Sequence, residues 1–267
     1  MQRLRSDDAE IVHEIVGSGP PVILLHPFPV HHEFWNPIVP MLSSRYRLIL
    51  PDLRGHGDSE IGQGPASMEK HARDLARLLD AASVVKAALV GVSIGGYILF
   101  EFWRQFRGRV SALVMCDTKS QADTAEARAN RLKVAADMLE QGTDTFIESM
   151  IPKVLGRTTL STRPDLLDGA RRMMSKMSPE NISLVQRGMA ERPDSVADLK
   201  TINVPTLIVI GDEDILATPA DRELMRQHIA GSQLKIIPKA GHFAPWEQPD
   251  AVGPLLRQFL DSIGTIS

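Results

Sequence analysis

Short, mainly apolar runs alternate with longer stretches of mixed polarity along most of this chain. The runs are Pro21 to His26, Tyr46 to Leu50, Lys86 to Val92, Ala112 to Cys116, Pro205 to Ile210 and Gln233 to Ile237. Continuous apolar runs of this length are the pattern of parallel strands buried on both faces. Glu10 to Val16 predicts an antiparallel strand at one end. Between the runs, Met68, Ala72, Leu75, Leu79 and Ala82 fall at the three-and-four spacing of an amphipathic helix. Ile94 to Phe106 has the length and content of another, and Gln248-Pro249-Asp250, with proline in the first turn, opens a last helix running to about Ile263. Strands alternating with helices predict an α/β fold built on a mostly parallel sheet with crossover helices.

The alternation breaks once. From Lys119 to Lys200 no strand-like run occurs, only helical stretches separated by Gly142-Thr143, Ile151-Pro152, Arg163-Pro164 and Ser178-Pro179. The expected organisation is therefore a core in two parts, residues 1–118 and 201–267, with a helical lid at 119–200. Such an insertion would cover the carboxyl edge of the sheet, where ligands bind in open α/β folds.

Composition narrows the class without identifying it. The chain has 267 residues, 43% hydrophobic and 24% charged, with a formal net charge of −3, as in an ordinary soluble domain. The slight acidity and the absence of a Lys/Arg block argue against a nucleic acid or an anionic membrane as partner. No stretch approaches the roughly 18 consecutive apolar residues of a spanning helix. The charged start MQRLRSDDAE does not read as a signal peptide. Cys116 is the only cysteine, so no intrachain disulfide can form, and a reducing, cytoplasmic setting is expected. Within Ala112-Leu-Val-Met-Cys116 its thiol is expected to be buried and inert.

Candidate chemistry centres on Gly91-Val92-Ser93-Ile94-Gly95. A G-x-S-x-G between a buried strand and a helix reads as a nucleophile elbow, which pushes the serine Oγ out at the top of the sheet. Gly96 is expected to let the helix pack closely on the strand behind it. A serine nucleophile needs a base in hydrogen-bond reach and a carboxylate that holds the base in one tautomer. His242 alone of the eight histidines follows the final strand. His26 reads as a structural hydrogen-bonder, His56 as a turn brace, and the adjacent His31 and His32 as loop residues that do not form a chelating pair. Three carboxylates compete for the acid: Asp212 and Asp214 after the strand at 205–210, and Asp117 after the strand at 112–116. The backbone N–H of Ile94, directly after the nucleophile at a helix N-terminus, is placed to stabilise an oxyanion.

The segments Leu24-Leu-His-Pro-Phe-Pro29, Pro51-Asp-Leu-Arg-Gly-His-Gly-Asp-Ser59, Gly91-Val-Ser-Ile-Gly-Gly96, Gly211-Asp-Glu-Asp214 and Gly241-His242 through Glu247-Gln-Pro249 occur in the order of α/β-hydrolase signatures. Over nearly its whole length the chain resembles that family, and within it small esterases and lactonases of the 3-oxoadipate enol-lactonase type. The resemblance implies Ser93 as nucleophile, His242 as base and Asp214 as acid. It implies Phe28 N–H as the second oxyanion donor, although His26-Pro27-Phe28-Pro29 departs from the usual His-Gly-x-Pro. The implied reaction is hydrolysis of carboxylic esters or lactones, N-acyl-homoserine lactones among them, through an acyl-enzyme, with no cofactor and no metal.

Carbon–carbon bond hydrolysis or cofactor-free perhydrolysis would use the same triad, and a slow-turnover ligand receptor could retain it. Dehalogenases and epoxide hydrolases of this fold carry aspartate where this chain has Ser93. Epoxide hydrolases also use lid tyrosines, and Tyr46 and Tyr97 both lie outside 119–200. No zinc-binding motif, P-loop or dinucleotide fingerprint is present. In 119–200, 13 Lys/Arg stand against 12 Asp/Glu, and six methionines offer an adaptable apolar surface. That count points to a neutral ester or lactone with an acyl chain.

Overall fold

The apolar runs are strands of one sheet. A computed structural model describes residues 1–263; residues 264–267, the end of the expected second core part, lie outside the described residues. Eight strands are seen among them: β1 (Gln2–Ser6), β2 (Ala9–Val16), β3 (Pro21–Leu25), β4 (Arg47–Pro51), β5 (Ala87–Val92), β6 (Val110–Cys116), β7 (Thr206–Gly211) and β8 (Gln233–Ile237). Their order is β1-β2-β4-β3-β5-β6-β7-β8. The β1–β2 and β2–β4 pairings are antiparallel and the others parallel. This is the α/β-hydrolase fold expected from the sequence.

Register follows burial. Val90 lies between Leu24 and Val114 at the centre of the sheet, and all three are fully buried. Each such side chain contributes about 1.5–3 kcal/mol relative to exposure, so a slipped register would be costly. β5 and β7 are buried along their whole length, as their unbroken apolar runs require.

The helices are α1 (Val39–Leu42), α2 (Met68–Ala81), α3 (Ile94–Phe106), α4 (Ala125–Gln141), α5 (Asp144–Val154) and α6 (Arg157–Thr162). They continue with α7 (Pro164–Met174), α8 (Pro179–Ala190), α9 (Val196–Leu199), α10 (Pro219–His228), α11 (Ala244–Glu247) and α12 (Pro249–Ser262). Local chemistry sets their starts. Ser67 caps α2 by accepting from Lys70 N, Ser178 caps α8, and Thr218 with Asp221 forms a capping box on α10. Residues 119–200 hold α4 to α9 and, among the described residues, no strand. Five of the six methionines in this stretch are buried in the core: Met138, Met173, Met174, Met177 and Met189. No described helix is long and apolar enough to cross a membrane.

The N-terminus departs from the sequence reading, which assigned it no element. Gln2–Ser6 pairs with β2 as an exposed edge strand whose polar sequence carries no apolar run. The end of β1 is anchored to a buried ion pair. Arg54, fully buried, donates to both carboxylate oxygens of Asp74 at 3.0 and 2.7 Å, and Ser6 Oγ donates to the same group at 2.6 Å.

Candidate active site

The elbow is a strained turn held from two sides. Ser93 sits at φ 55°, ψ −113°, between β5 and α3. A non-glycine residue at positive φ costs on the order of 1–3 kcal/mol and persists only where its surroundings enforce it. Here Ser93 N donates to Cys116 O at 3.0 Å, and Thr118 Oγ1 donates to Ser93 O at 2.8 Å. The glycines permit the close approach. A Cβ on Gly91 would lie 2.5 Å from Gly95 C, and one on Gly95 would lie 2.9 Å from Leu25 O. Gly96 has a different job from the one expected of it. Its missing Cβ clears Thr118, after β6, rather than the strand directly behind.

His242 and Asp214 meet as a pair. The His242 Nδ1–H donates to Asp214 Oδ2 at 2.9 Å, with both side chains nearly fully buried. That tautomer leaves Nε2 free to act as a base. Asp214 Oδ1 also accepts from Leu216 N at 2.7 Å and Ala217 N at 3.2 Å. Burial acts to raise the Asp214 carboxyl, but the His242 contact and these N–H groups outweigh it and hold the group below its ordinary value.

The competing carboxylates sit elsewhere. Asp212 is exposed and accepts from Lys239 N at 2.7 Å. Asp117 is fully buried and accepts from Gly211 N at 2.8 Å. Burial and the charge of nearby Asp214 push its carboxyl well above the ordinary value. The two carboxyls are thus shifted in opposite directions, Asp214 down by its contact with His242 and Asp117 up by burial. Cys116 is buried, and burial first, then Asp117, pushes its thiol up.

Ser93, His242 and Phe28 share one cavity of about 370 Å³. It is lined by loops after the strands, including Lys119 and Leu216, and by residues of α4, α5 and α8. Phe28 follows β3 and is joined to Pro29 by a cis peptide bond, and Ile94 opens α3. Among the described residues, neither Phe28 N nor Ile94 N has a hydrogen-bond partner. His26 anchors the Phe28 loop, its Nδ1–H donating to Pro27 O and its Nε2 accepting from Leu53 N, both at 2.9 Å. His56 Nδ1–H donates to Arg54 O at 3.0 Å.

A family description, the alpha/beta hydrolase fold, matches residues 20–249. The chain belongs to the α/β-hydrolase family. The hydrolase is 30% identical to a Bacillus subtilis protein provisionally named a 2-succinyl-6-hydroxy-2,4-cyclohexadiene-1-carboxylate synthase, over 91% of this chain and 90% of that one. It is 24% identical to 3-oxoadipate enol-lactonase 2 of Acinetobacter baylyi, over 93% and 92%. Among solved structures, a thermophilic esterase from Thermogutta terrifontis with malate bound superposes with a TM-score of 0.96 at 36% identity, covering 99% of this chain and 100% of that one.

The charge lining the hydrolase's cavity is uneven in a way that a count along the sequence hides. Lys119, Arg131 and Lys153 face it together with a single carboxylate, Asp123. Asp123 is already matched by Arg131 Nε at 2.6 Å and Arg192 Nη2 at 2.8 Å. Arg192 in turn lies over the Tyr97 ring, 4.2 Å from its centroid. Lys119 and Lys153 form no ion pair among the described residues. Of the segment's methionines, Met150 and Met189 line the cavity.

One group of potential metal ligands does come together among the described residues. His31, His32 and Asp52 are buried with candidate ligand atoms within 4.8 Å of one another, a proximity the sequence reading did not expect. The Asp52 carboxylate is already engaged, Oδ1 by His32 N and Nδ1 at 2.9 and 2.7 Å and Oδ2 by Asp58 N at 2.9 Å. None of the three lines the Ser93 cavity. Dialysis against EDTA should accordingly leave ester turnover unchanged. Inactivation reversed by added zinc would place the chemistry at a metal instead.

Proposed function

We propose that this hydrolase cleaves carboxylic esters or lactones through a Ser93 acyl-enzyme. The observation that carries the reading is the Asp214–His242 hydrogen bond at 2.9 Å, on a cavity wall shared with a strained Ser93. Ser93 Oγ attacks the carbonyl carbon while His242 Nε2 takes its proton. The N–H groups of Phe28 and Ile94 receive the oxyanion, and losing one such donor typically costs about 3 kcal/mol in the transition state. Collapse expels the alkoxide, protonated by His242, and a water activated by His242 releases the acid and restores Ser93. In a lactone the leaving alcohol stays tethered, so the steps are the same. The segment 119–200 acts as a lid over this site. Cys116 as the only cysteine supports a cytoplasmic setting.

The cavity's lining favours substrates that carry a carboxylate remote from the ester bond, over the neutral acyl groups suggested by the charge count. The Thermogutta terrifontis esterase was solved with an organic acid, malate, bound. Monomethyl adipate should therefore be cleaved with kcat/KM about tenfold above methyl hexanoate, the worth of one modest charged contact. Lys119→Ala and Lys153→Ala should each narrow that gap without changing the rate on the neutral ester. Equal rates in the native enzyme would remove the charge argument.

The Bacillus subtilis relative, named as a carboxylate synthase rather than a hydrolase, favours a second reading in which the same triad serves a reaction other than ester hydrolysis. A panel of p-nitrophenyl esters and lactones, N-acyl-homoserine lactones included, with product analysis separates the two. Turnover of esters or ring opening supports the first reading, and failure on the whole panel supports the second.

A further inference from the structure

We propose that the stretch Gly156–Thr158, at the start of α6, is a positioning element for the catalytic pair, acting through Glu247 on the base loop and Glu213 on the acid loop. The inference rests on the triad assigned above. It adds residues that make no contact with the reacting atoms.

The base loop is tied on both sides of His242. Glu247 is buried, with Oε1 accepting from Gly241 N at 2.8 Å and Oε2 from Gly156 N at 2.7 Å. Gly241 immediately precedes His242. On the other side, Phe243 N donates to Val154 O, the last residue of α5, at 3.1 Å. The acid loop is tied to the same place. Glu213, adjacent to Asp214, accepts from Thr158 N at 2.8 Å, Thr158 Oγ1 at 2.6 Å and Arg157 Nε at 3.1 Å. Glu213 N donates to Ala240 O at 2.8 Å, which closes the circuit between the two loops.

The backbones at Gly156 and Gly241 and the Glu213 carboxylate are pressed together with no room to spare. A Cβ on Gly241 would lie 2.3 Å from Gly156 N, and one on Gly156 would lie 2.6 Å from Glu213 Oε2 and 2.8 Å from Gly241 N. Burial opposes the charge on Glu247, which the structure nonetheless holds between two backbone donors. A hydrophobic contact would stabilise the junction too. Two carboxylates, each bonded to a named backbone N–H, fix its position in addition. The helices that line the cavity are thereby linked to the placement of His242 and Asp214, where a misplacement of about 1 Å can cost on the order of 10²-fold in rate.

Glu247→Gln keeps the shape and leaves one oxygen for two N–H groups. It should lower kcat by on the order of 10²-fold with KM nearly unchanged. Thr158→Val removes one donor to Glu213 and should lower kcat about tenfold. In both variants the Nδ1–H proton resonance of His242, identified by its loss in His242→Ala, should shift, a change that a purely structural role would not produce. If Glu247→Gln fails to fold, Thr158→Val decides. Native kcat and a native His242 resonance in the folded variants, with or without a lower melting temperature, would overturn the proposal. The triad is tested separately in the same assay, because its failure would appear as an active Ser93→Ala protein.

Discussion

Ser93→Ala should lower kcat on any accepted ester by on the order of 10⁴-fold or more while leaving the fold intact, because triad members act as a unit. The serine supplies the only attacking oxygen in the proposed mechanism, so no neighbour can replace it. The fold should tolerate the change because the elbow is held by backbone. Ser93 N bonds to Cys116 O, and Thr118 Oγ1 bonds to Ser93 O, with neither contact using the deleted hydroxyl. Alanine at φ 55° bears the same strain as serine, so stability should change little. Steady-state assay beside circular dichroism checks both halves. Near-native turnover in a natively folded variant would remove Ser93 from the mechanism.

Asp214→Asn should reduce kcat by roughly 10⁴-fold, the loss expected when the amide favours the wrong imidazole tautomer and no longer stabilises the imidazolium. The side chain keeps its size and can still accept from Leu216 N and Ala217 N through its oxygen, so the effect should fall on kcat rather than on folding. Asp117→Asn provides the contrast. Burial and the charge of Asp214 push the Asp117 carboxyl well above its ordinary value, and asparagine keeps its size without a charge. Its oxygen can keep the bond from Gly211 N, while its NH₂ replaces Oδ2, an atom with no partner. That buried donor should cost about 1–3 kcal/mol of stability and leave kcat within a few-fold. A severe catalytic loss confined to Asp117→Asn would transfer the acid role to it.

Much of this was legible in the sequence because the governing physics is local. A strand buried on both faces must be apolar throughout, so β5 and β7 announced themselves to within a residue or so. The elbow could be read because a tight strand-to-helix turn demands small residues on each side of the serine. His242 could be read because it follows the final strand. Asp214 was set apart from Asp212 and Asp117 by the family resemblance alone, and the structure brings His242 and Asp214 into contact. β1 was missed for the converse reason. It is an edge strand with mostly exposed side chains, and its sequence shows no alternation or apolar run.

What stayed hidden depends on tertiary contact. Lys119 follows β6 and Lys153 lies in α5, and nothing in either local sequence says that they face one cavity. A charge count averages them with lysines and arginines that point into solvent. The Glu247 carboxylate joins Gly241 N to Gly156 N, two groups far apart in the chain, so only folded geometry shows the link. Its place in the signature running from Gly241 to Pro249 was visible, but its partners were not. His31 and His32 were likewise read as loop residues, because their proximity to Asp52 requires the turn after β4 to come back against the loop after β3.

The measurement that tests the central claim most directly is covalent capture of the nucleophile. The enzyme is incubated with a p-nitrophenyl alkylphosphonate, p-nitrophenolate release and residual activity are followed together, and the labelled protein is mapped by peptide mass spectrometry. The account predicts about one equivalent of p-nitrophenolate per chain, activity lost in proportion, the added mass on the peptide that carries Ser93, and no labelling of Ser93→Ala. Full labelling with activity retained, or inactivation with the mass on any other residue, would contradict it.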